Sequence, residues 1–231
     1  MKTNYDVCIF DLDGTLVDSL EDLADSCNMA LSLFELPTHT NEEYKFFVGN
    51  GIRELVRKSM GDAAGDKELL DSVSINFNMI YQEKCLNKTK PYNGIEKMLC
   101  DIKYRGVKIG VLSNKADDFA KKIVSSLFDP CLIDIVYGQK KGLPTKPEPD
   151  SLFEMLGKFE CPKNKCLYIG DSNIDVATAQ NAGVDFCGVE WGFRGYDELK
   201  NAGAELIAKT PSEVASIVNS SYFIRNMLCH E

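Results

Sequence analysis

Hydrophobic and polar positions follow two different periods along the chain. The mainly apolar segment 5–10 is typical of a short buried strand. From Leu20 onward the apolar positions follow the spacing of one helix face, up to a helix end at Pro37. These positions are Leu20, Leu23, Ala24, Cys27, Leu31 and Phe34. The pattern predicts a strand followed by an amphipathic helix.

The next segment also shows helical spacing. Thr40 and Glu43 have the spacing of a capping box at the start of a short helix. A Gly-Asn-Gly sequence at 49–51 separates it from a second helix, and a longer helix is predicted across residues 69–81. We therefore expect residues 18–88 to be entirely helical, without a strand.

Short apolar runs alternate with helical patterns in the second half of the chain. The predicted strands are residues 107–112, 132–136, 166–169, 186–190 and 206–208. Such alternation favours a parallel sheet covered by helices, and the strand at 5–10 belongs to the same sheet. We therefore predict an α/β fold, a Rossmann-like doubly wound parallel sheet formed by residues 1–17 and 89–231, with an all-helical domain inserted at 18–88.

Composition indicates a globular protein without an export signal or a membrane segment. The 231 residues are 44% hydrophobic and 26% charged, which is the usual balance of soluble domains. No stretch approaches the length of about 18 apolar residues that a membrane span needs, and residues 1–6 lack a signal-peptide pattern. We therefore expect a cytoplasmic protein with no membrane partner.

The charge of the chain restricts its partners. The formal net charge is −9 at pH 7, whereas binding to a nucleic acid backbone normally depends on a basic surface. We therefore expect no nucleic acid partner. A small anionic substrate would need a metal ion or a few well-placed Lys and Arg residues to overcome the overall negative charge.

Two carboxylates follow the first predicted strand. Asp11 and Asp13 lie two residues apart, and Gly14 follows them. This arrangement suits a nucleophile, an acid/base group and a metal ligand within one site. An ordinary turn is the alternative, because Asp and Gly readily adopt the backbone angles of a reversal.

Polar groups also follow the other predicted strands. They are Ser113, Asn114, Lys146, Asp171 and Asp175. Taken singly, each could cap a helix or be a solvated loop residue. Ligands of open parallel sheets, however, bind outside the carboxyl ends of the strands. We therefore expect these groups to converge with the two N-terminal carboxylates at one edge of the sheet.

Together these residues resemble the four motifs of the haloacid dehalogenase-like (HAD) hydrolase superfamily, in the same order. The matching segments are Asp11-Leu12-Asp13-Gly14-Thr15, Ser113, Lys146-Pro147-Glu148-Pro149 and Gly170-Asp171-Ser172-Asn173-Ile174-Asp175. Val48-Gly49-Asn50-Gly51 and Trp191-Gly192-Phe193-Arg194 are similar to segments of the phosphoglycolate phosphatase-like branch. The resemblance covers nearly the whole chain and places residues 18–88 at the position of that family's cap domain.

The resemblance implies a role for each catalytic group. Asp11 is the expected nucleophile, which forms an aspartyl-phosphate, and Asp13 is the expected general acid and base. Lys146 is expected to place a positive charge beside the nucleophile and the transferring phosphoryl group. The expected phosphate-binding residues are Ser113, Asn114 and Thr15, the last of which is also expected to steady Asp13.

The same resemblance implies a Mg²⁺ cofactor. Its expected ligands are the Asp11 carboxylate, the Asp13 main-chain carbonyl and the Asp171 carboxylate, since Mg²⁺ prefers oxygen ligands. Asp175 is expected to orient the metal site rather than to bind the ion itself.

Substrate choice is expected to depend on the cap. The loop that joins two cap helices contains Asn50, Gly51 and Arg53. These residues could present main-chain N–H groups and one cation to a small carboxylate such as glycolate. A flexible turn with an exposed arginine is the alternative.

These expectations favour a Mg²⁺-dependent phosphatase for small phosphate monoesters, with 2-phosphoglycolate as the leading substrate. Asp13 distinguishes the chain from dehalogenases of the superfamily, which lack an acid there because a halide needs no proton. A phosphomutase related to β-phosphoglucomutase typically has Glu where this chain has Gly170. It stays an alternative, together with a pyrophosphatase and a regulatory or binding module. We expect a monomer or homodimer that acts on a small phosphorylated metabolite.

Overall fold

A six-stranded parallel sheet lies at the centre of the computed structural model, which describes residues 5–140 and 142–219. The strands of the chain are β1 (Val7–Phe10), β2 (Val17–Asp18), β3 (Lys90–Pro91), β4 (Lys108–Ala116), β5 (Ile135–Gln139), β6 (Cys166–Gly170), β7 (Asp185–Val189) and β8 (Ile207–Ala208). The order in the sheet is β5-β4-β1-β6-β7-β8, and β2 and β3 form a separate antiparallel ribbon. β1 is therefore central, with β4 and β6 as its neighbours.

Helices cover both faces of the sheet and also form the insertion after β2. They are α1 (Leu20–Ser32), α2 (Asn41–Phe47), α3 (Ile52–Met60), α4 (Lys67–Lys84), α5 (Ile95–Tyr104), α6 (Asp117–Leu127), α7 (Asp150–Phe159), α8 (Asn173–Ala182), α9 (Gly195–Asn201) and α10 (Pro211–Asn219). Short 3-10 helices occupy Gly61–Gly65 and Lys163–Lys165.

The alternation of side chains along β1 explains why both faces are covered. Cys8 and Phe10 pack with α5, α6 and α10, whereas Val7 and Ile9 pack with α7 and α8. Successive residues of a strand point to opposite faces, so a strand that is apolar throughout needs a helical layer on each side. The predicted Rossmann-like α/β core is confirmed.

The helical insertion, defined here as α1 to α4, has a hydrophobic cluster of its own that includes the buried rings of Tyr44, Phe77 and Tyr81. Its second helix begins at the predicted capping box. There the Thr40 main-chain N–H donates to Glu43 Oε2 at 2.9 Å, and the Glu43 N–H donates to Thr40 Oγ1 at 3.4 Å. The division into a core (1–17 and 89–231) and a cap (18–88) stays a prediction, and residues 1–4 and 220–231 lie outside the described chain.

Three sequence predictions need correction in this part of the structure. Residues 18–88 are not free of strand, because Asp18 in β2 pairs with Lys90 in β3. A pairing of two residues is too short to produce a recognisable period. The strand predicted at 132–136 begins only at Ile135, and the apolar residues before it pack against the core without joining the sheet.

The most consequential difference is the length of β4, which continues to Ala116 instead of ending at residue 112. Leu112 pairs with Tyr137 but Ala116 pairs with Gln139, so β4 bulges across residues 113–115. The alternative in which Ser113 and Asn114 cap a helix is therefore wrong, since α6 begins only at Asp117.

Among the described helices, none combines the length and the apolar character that crossing a lipid bilayer requires.

Asp22 on α1 binds residues 88 and 89, where the chain leaves the helical insertion. This buried carboxylate accepts hydrogen bonds from the Lys88 main-chain N–H at 3.0 Å and from the Thr89 N–H and hydroxyl at 2.8 and 2.7 Å. A charged acceptor strengthens such bonds, and their loss would leave buried donors unpaired.

Replacing Asp22 with Ala should lower the free energy of unfolding by about 2–4 kcal/mol, because the buried N–H and hydroxyl of Thr89 and the Lys88 N–H lose their acceptor. Urea unfolding measures this loss. Asp25→Ala is the matched control: Asp25 lies on the same helix but is exposed and paired with Lys88, so its loss should cost less than about 1 kcal/mol. Similar losses in the two variants would contradict the assigned function of Asp22.

Candidate active site

Three adjacent strands deliver polar side chains to one edge of the sheet. Phe10, the last residue of β1, pairs with Val111 of β4 and with Ile169 of β6. Asp11 therefore leaves β1 level with the carboxyl end of β6, which leads into Asp171, and with the start of the β4 bulge at residues 113–115. The topology of the sheet thus brings together groups that lie far apart in the sequence.

Asp11, Asp171 and Asp175 form a buried acidic cluster. One carboxylate oxygen from each lies within 4.8 Å of the others. Lys146, from the loop after β5, inserts its ammonium group among them: Nζ lies 2.9 Å from Asp11 Oδ1 and 2.8 Å from Asp175 Oδ1. Three carboxylates thus face one ammonium group, which leaves an excess of negative charge if all of them are ionised.

Burial and mutual repulsion change the pKa values in the acidic cluster. Burial raises the pKa of Asp11 to about 7, although the Lys146 charge opposes the shift. Burial, followed by the charges of Asp175 and Asp11, raises the pKa of Asp171 well above its usual range. Burial alone would lower the pKa of Lys146, but the carboxylates of Asp11 and Asp175 raise it well above normal. The acidic cluster therefore fits a divalent cation with oxygen ligands, which would offset the repulsion.

The carboxylates of the acidic cluster differ in how their oxygens are used. Both oxygens of Asp175 accept protein hydrogen bonds, Oδ1 from Lys146 and from Tyr168 Oη, and Oδ2 from the main-chain N–H and hydroxyl of Ser172. This arrangement suits a residue that orients the site. Asp11 uses Oδ1 for Lys146 and the Leu12 N–H, while its Oδ2 makes no hydrogen bond with the described part of the chain.

Two glycines allow the carboxylates to approach the backbone closely. Gly14 has φ +84°, and a Cβ there would lie 2.4 Å from Asp171 Oδ2. A Cβ at Gly170 would lie 2.3 Å from the Asp175 carboxyl carbon. Any side chain at either position would displace a member of the acidic cluster.

Asp13 is held apart from the acidic cluster. Its Oδ1 accepts hydrogen bonds from Ser19 Oγ at 2.5 Å and from Lys115 Nζ at 2.9 Å, and Lys115 Nζ is also 3.0 Å from Oδ2. The side chain of Lys115 is 3% exposed. Each of the two catalytic carboxylate candidates thus has its own buried lysine, Lys146 for Asp11 and Lys115 for Asp13.

Sequence reasoning missed Lys115. Lys115 directly follows Ser113 and Asn114, so it lies next to residues that were recognised in the sequence as site candidates. The apolar pattern of β4 stops at residue 112, however, and a bulged strand has no regular period from which to infer the burial of a lysine.

Two expected phosphate-binding residues have other partners. The Thr15 hydroxyl donates to Asp171 Oδ1 at 3.3 Å, whereas Ser19 and Lys115 hold Asp13. Thr15 therefore supports the acidic cluster and does not steady Asp13 as expected.

Asn114 is occupied by main-chain groups instead of being open to a phosphate. Its Nδ2 donates to the carbonyl oxygens of Gly49 and Lys146, both at 3.0 Å, and its Oδ1 accepts from the Lys146 N–H at 2.8 Å. Asn114 thus joins the loop of Lys146 to the loop after α2. Ser113 is buried and lines the cleft, in agreement with its expected position.

A cleft of about 420 Å³, including its opening to solvent, lies between the helical insertion and the edge of the sheet. Its lining from the core is Asp11, Asp13, Ser113, Asn114 and Lys115, and its lining from the insertion is Leu23, Val48, Gly49, Gly51, Ile52 and Leu55.

Of the three residues expected to contact substrate from the cap, only Gly51 is among those that line the cleft. Asn50 is exposed, and Arg53 is exposed and paired with Asp71. Ile52 and Leu55 face the cleft, and Arg53 is rotated from Ile52 by about 100° around the helix, so it points elsewhere. The expectation that Arg53 supplies the cation is therefore corrected.

Residues 191–194 connect the acidic cluster with the helical insertion. The Phe193 N–H donates to Asp171 Oδ2 at 2.8 Å, and Trp191 Nε1 donates to the Thr15 carbonyl at 3.0 Å. Arg194 Nη2 donates to the Val48 carbonyl at 2.9 Å, at the end of α2. Residues 191–194, which resemble a phosphoglycolate phosphatase motif, thus contact both the acidic cluster and the helical insertion.

A family model described as haloacid dehalogenase-like hydrolase matches residues 8–189. The chain belongs to this family. The hydrolase is 32% identical over 202 residues to a phosphoglycolate phosphatase of Haemophilus influenzae, a match that covers 84% of this chain and 89% of that protein. It is 28% identical to the phosphoglycolate phosphatase of Aquifex aeolicus over 93% of this chain and 97% of that one.

Solved structures resemble the hydrolase over nearly their whole length. A crystal structure from Lactobacillus delbrueckii subsp. bulgaricus has a TM-score of 0.87 and 32% identity, and the match covers 94% of this chain and 100% of that chain. A predicted phosphoglycolate phosphatase from Haemophilus somnus has a TM-score of 0.87 and 26% identity, with 94% and 99% covered. The expected superfamily, its phosphoglycolate phosphatase-like branch and the phosphatase class of enzyme are confirmed.

A divalent cation should stabilise the hydrolase more strongly as the pH rises. The pKa of Asp11 in the folded state, about 7, lies above its ordinary value of 3.8. Without metal, protonation of this carboxyl therefore stabilises the folded state relative to the unfolded state. That stabilisation is lost as the pH rises through 7. Saturating Mg²⁺ should raise Tm by roughly 5 °C near pH 8 and by much less near pH 5.

Thermal unfolding with Mg²⁺ and with a chelator at each pH measures this difference. Asp171→Asn should remove most of the increment at every pH, because it removes one carboxylate of the acidic cluster. An equal Mg²⁺ increment at both pH values, or one that survives in Asp171→Asn, would show that the cation binds elsewhere.

Proposed function

We propose that this hydrolase is a Mg²⁺-dependent phosphatase that cleaves small phosphate monoesters through an aspartyl-phosphate intermediate, with 2-phosphoglycolate as the leading substrate. The observation that carries the proposal is the separation of two carboxylates into different environments at one cleft. Asp11 lies within the acidic cluster beside Lys146, whereas Asp13 lies outside it beside Lys115. One environment suits a nucleophile and the other an acid/base group.

In the first step, Asp11 Oδ2 attacks phosphorus and the bond between phosphorus and the ester oxygen breaks. Asp13 enters this step protonated; the departing oxygen takes that proton, so an alcohol leaves and Asp13 becomes the carboxylate that Lys115 and Ser19 hold. In the second step, Asp13 takes a proton from water, the water oxygen attacks phosphorus, and the bond to Asp11 breaks to release inorganic phosphate. Both steps need the negative charge of the phosphoryl group to be offset.

Lys146 and Ser113 are the groups of this chain that supply positive charge and a hydroxyl donor to the phosphoryl oxygens. The carboxylates of Asp11 and Asp171 and the main-chain carbonyl of Asp13 are the proposed Mg²⁺ ligands, and Asp175 orients them. When bound, Mg²⁺ supplies electrostatic stabilisation of the charge on the transferring group.

The backbone around Gly170 favours hydrolysis over phosphate transfer between positions of one substrate. The mutase branch typically has Glu at this place, but a Cβ there would collide with Asp175 at 2.3 Å. The chain therefore cannot take the mutase residue without moving a member of the acidic cluster. The small cleft and the curated phosphoglycolate phosphatases among the relatives both support a small monoester as substrate.

Release of inorganic phosphate from 2-phosphoglycolate, pyrophosphate and β-glucose 1-phosphate, with and without Mg²⁺, tests the proposal. We expect Mg²⁺-dependent release, fastest from 2-phosphoglycolate. Faster release from pyrophosphate would favour the pyrophosphatase alternative. Isomerisation of the sugar phosphate without net release would favour the mutase, and no reaction with any compound would favour a binding module.

Substitution of the two aspartates separately should distinguish their functions. Asp11→Asn should lower kcat by at least about a thousandfold with every substrate, because no nucleophile remains. Asp13→Asn should also lose turnover, but with p-nitrophenyl phosphate, whose leaving group needs no proton, it should accumulate a phosphorylated enzyme.

Intact-protein mass spectrometry after a short incubation detects the phosphorylated enzyme, and peptide mapping places it on Asp11. Asp101→Asn, at a half-buried residue of α5 that is paired with Lys97, is the control and should keep wild-type activity. Appreciable turnover by Asp11→Asn, or phosphorylation at another residue, would contradict the nucleophile assignment.

A further inference from the structure

Lys115 places a second buried positive charge at the cleft, and the two-step reaction does not require it. Its ammonium group is bonded to Asp13, and it lines the cleft directly. Lys146 already provides the positive charge beside the nucleophile. A lysine is seldom buried without a specific partner or task, since its desolvation is costly.

The part of the helical insertion that faces this ammonium group carries no charge. Its side chains in the cleft are Leu23, Val48, Ile52 and Leu55, and two glycines complete its lining. An anionic group on a bound substrate would therefore find no cationic side chain on the insertion side. Among the cleft-lining residues that the structure describes, Lys115 is the one cation.

The position of Lys115 relative to Asp13 determines which part of a substrate it can reach. Asp13 has to contact the ester oxygen that leaves, and Lys115 Nζ lies 2.9 Å from Asp13 Oδ1. In 2-phosphoglycolate a single CH₂ group separates the ester oxygen from the carboxylate. A carboxylate at that distance from the ester oxygen lies within reach of an ammonium group bonded to Asp13.

We propose that Lys115 is a specificity-determining residue that binds the carboxylate of an acidic leaving group, which makes phosphate monoesters of small hydroxy acids the substrate class. This inference rests on the proposed phosphatase function and names the residue that selects the substrate. The proposed carboxylate-binding cation thus lies on the core strand β4, and not on the helical insertion, where Arg53 was expected to supply it. The ammonium group has three N–H bonds, so it can donate to a substrate carboxylate as well as to Asp13.

The surroundings of Lys115 keep it charged and in place. Burial alone would lower its pKa, but the Asp13 carboxylate and Tyr81 raise the pKa of Lys115 above its usual range. The Tyr81 ring centre lies 4.9 Å from Nζ, and the Phe119 ring packs against Tyr81 in a T-shaped arrangement. A desolvated, preformed cation binds an anion more strongly than a solvated surface lysine does.

Two substrates of nearly equal size test the proposal. 2-Phosphoglycolate has a carboxylate where 2-hydroxyethyl phosphate has a neutral CH₂OH group, and the reacting phosphoryl ester is the same. We expect wild-type kcat/KM to be much higher for 2-phosphoglycolate. In Lys115→Met the ratio of the two kcat/KM values should fall by about 30-fold or more, since the change removes one partner of a buried charge pair.

Any weakened support of Asp13 in the variant affects both substrates and cancels in the ratio. Lys115→Gln keeps a donor for Asp13 without the charge, so it should also lose the preference while keeping more activity on 2-hydroxyethyl phosphate. Arg57→Met, which removes an exposed cation paired with Glu54 on α3, should leave the ratio unchanged. Circular dichroism and Tm establish that each variant is folded.

Each outcome decides the proposal. An equal loss for both substrates in Lys115→Met and Lys115→Gln would overturn it and make Lys115 a positioning residue for Asp13. Wild-type enzyme that hydrolyses both compounds without preference would also overturn it, but would leave the phosphatase function intact. Wild-type enzyme that releases phosphate from neither compound nor from the wider panel would remove the phosphatase function and this inference together.

Discussion

The burial of three carboxylates against one ammonium group is the constraint on which the architecture of the site depends. Asp11, Asp171 and Asp175 share Lys146, and burial raises the pKa of the first two. Such an arrangement is unfavourable unless hydrogen bonds and a counter-charge compensate it. The surrounding chain supplies many of these bonds, including main-chain N–H groups on Asp11 and Asp171 and four donors on Asp175.

In the proposed reaction, Lys146 lies beside the transferring phosphoryl group and Lys115 lies beside the leaving group. Lys146 belongs to the loop after β5, whereas Lys115 belongs to the bulged end of β4. Asn114 joins the loop of Lys146 to the helical insertion, because it bonds to the main chain of both Lys146 and Gly49. The helical insertion is thereby tied to the loop that positions Lys146 beside Asp11, so in the proposed reaction catalysis and substrate selection depend on the same contacts.

The sequence predicted the fold and most of the acidic cluster because both depend on strong local signals. Buried strands in an α/β protein are short apolar runs, and the carboxylates follow directly after them. The environment of Lys115 depends on a bulge, which leaves no periodic signal. The direction of Arg53 was predictable in principle, since Ile52 and Leu55 define the inner face of α3 and Arg53 lies off that face.

The order of the strands in the sheet differs from the order in which they are synthesised. β6, which carries Asp171 and leads into α8 with Asp175, pairs with β1 only after β4 and β5 have left the ribosome. Up to Lys146 the growing chain contributes Asp11 and Asp13 with Lys115 and Lys146, so acidic and basic groups of the future site are balanced. The carboxylates that give the acidic cluster its excess of negative charge, Asp171 and Asp175, are therefore the last groups of the site to be synthesised.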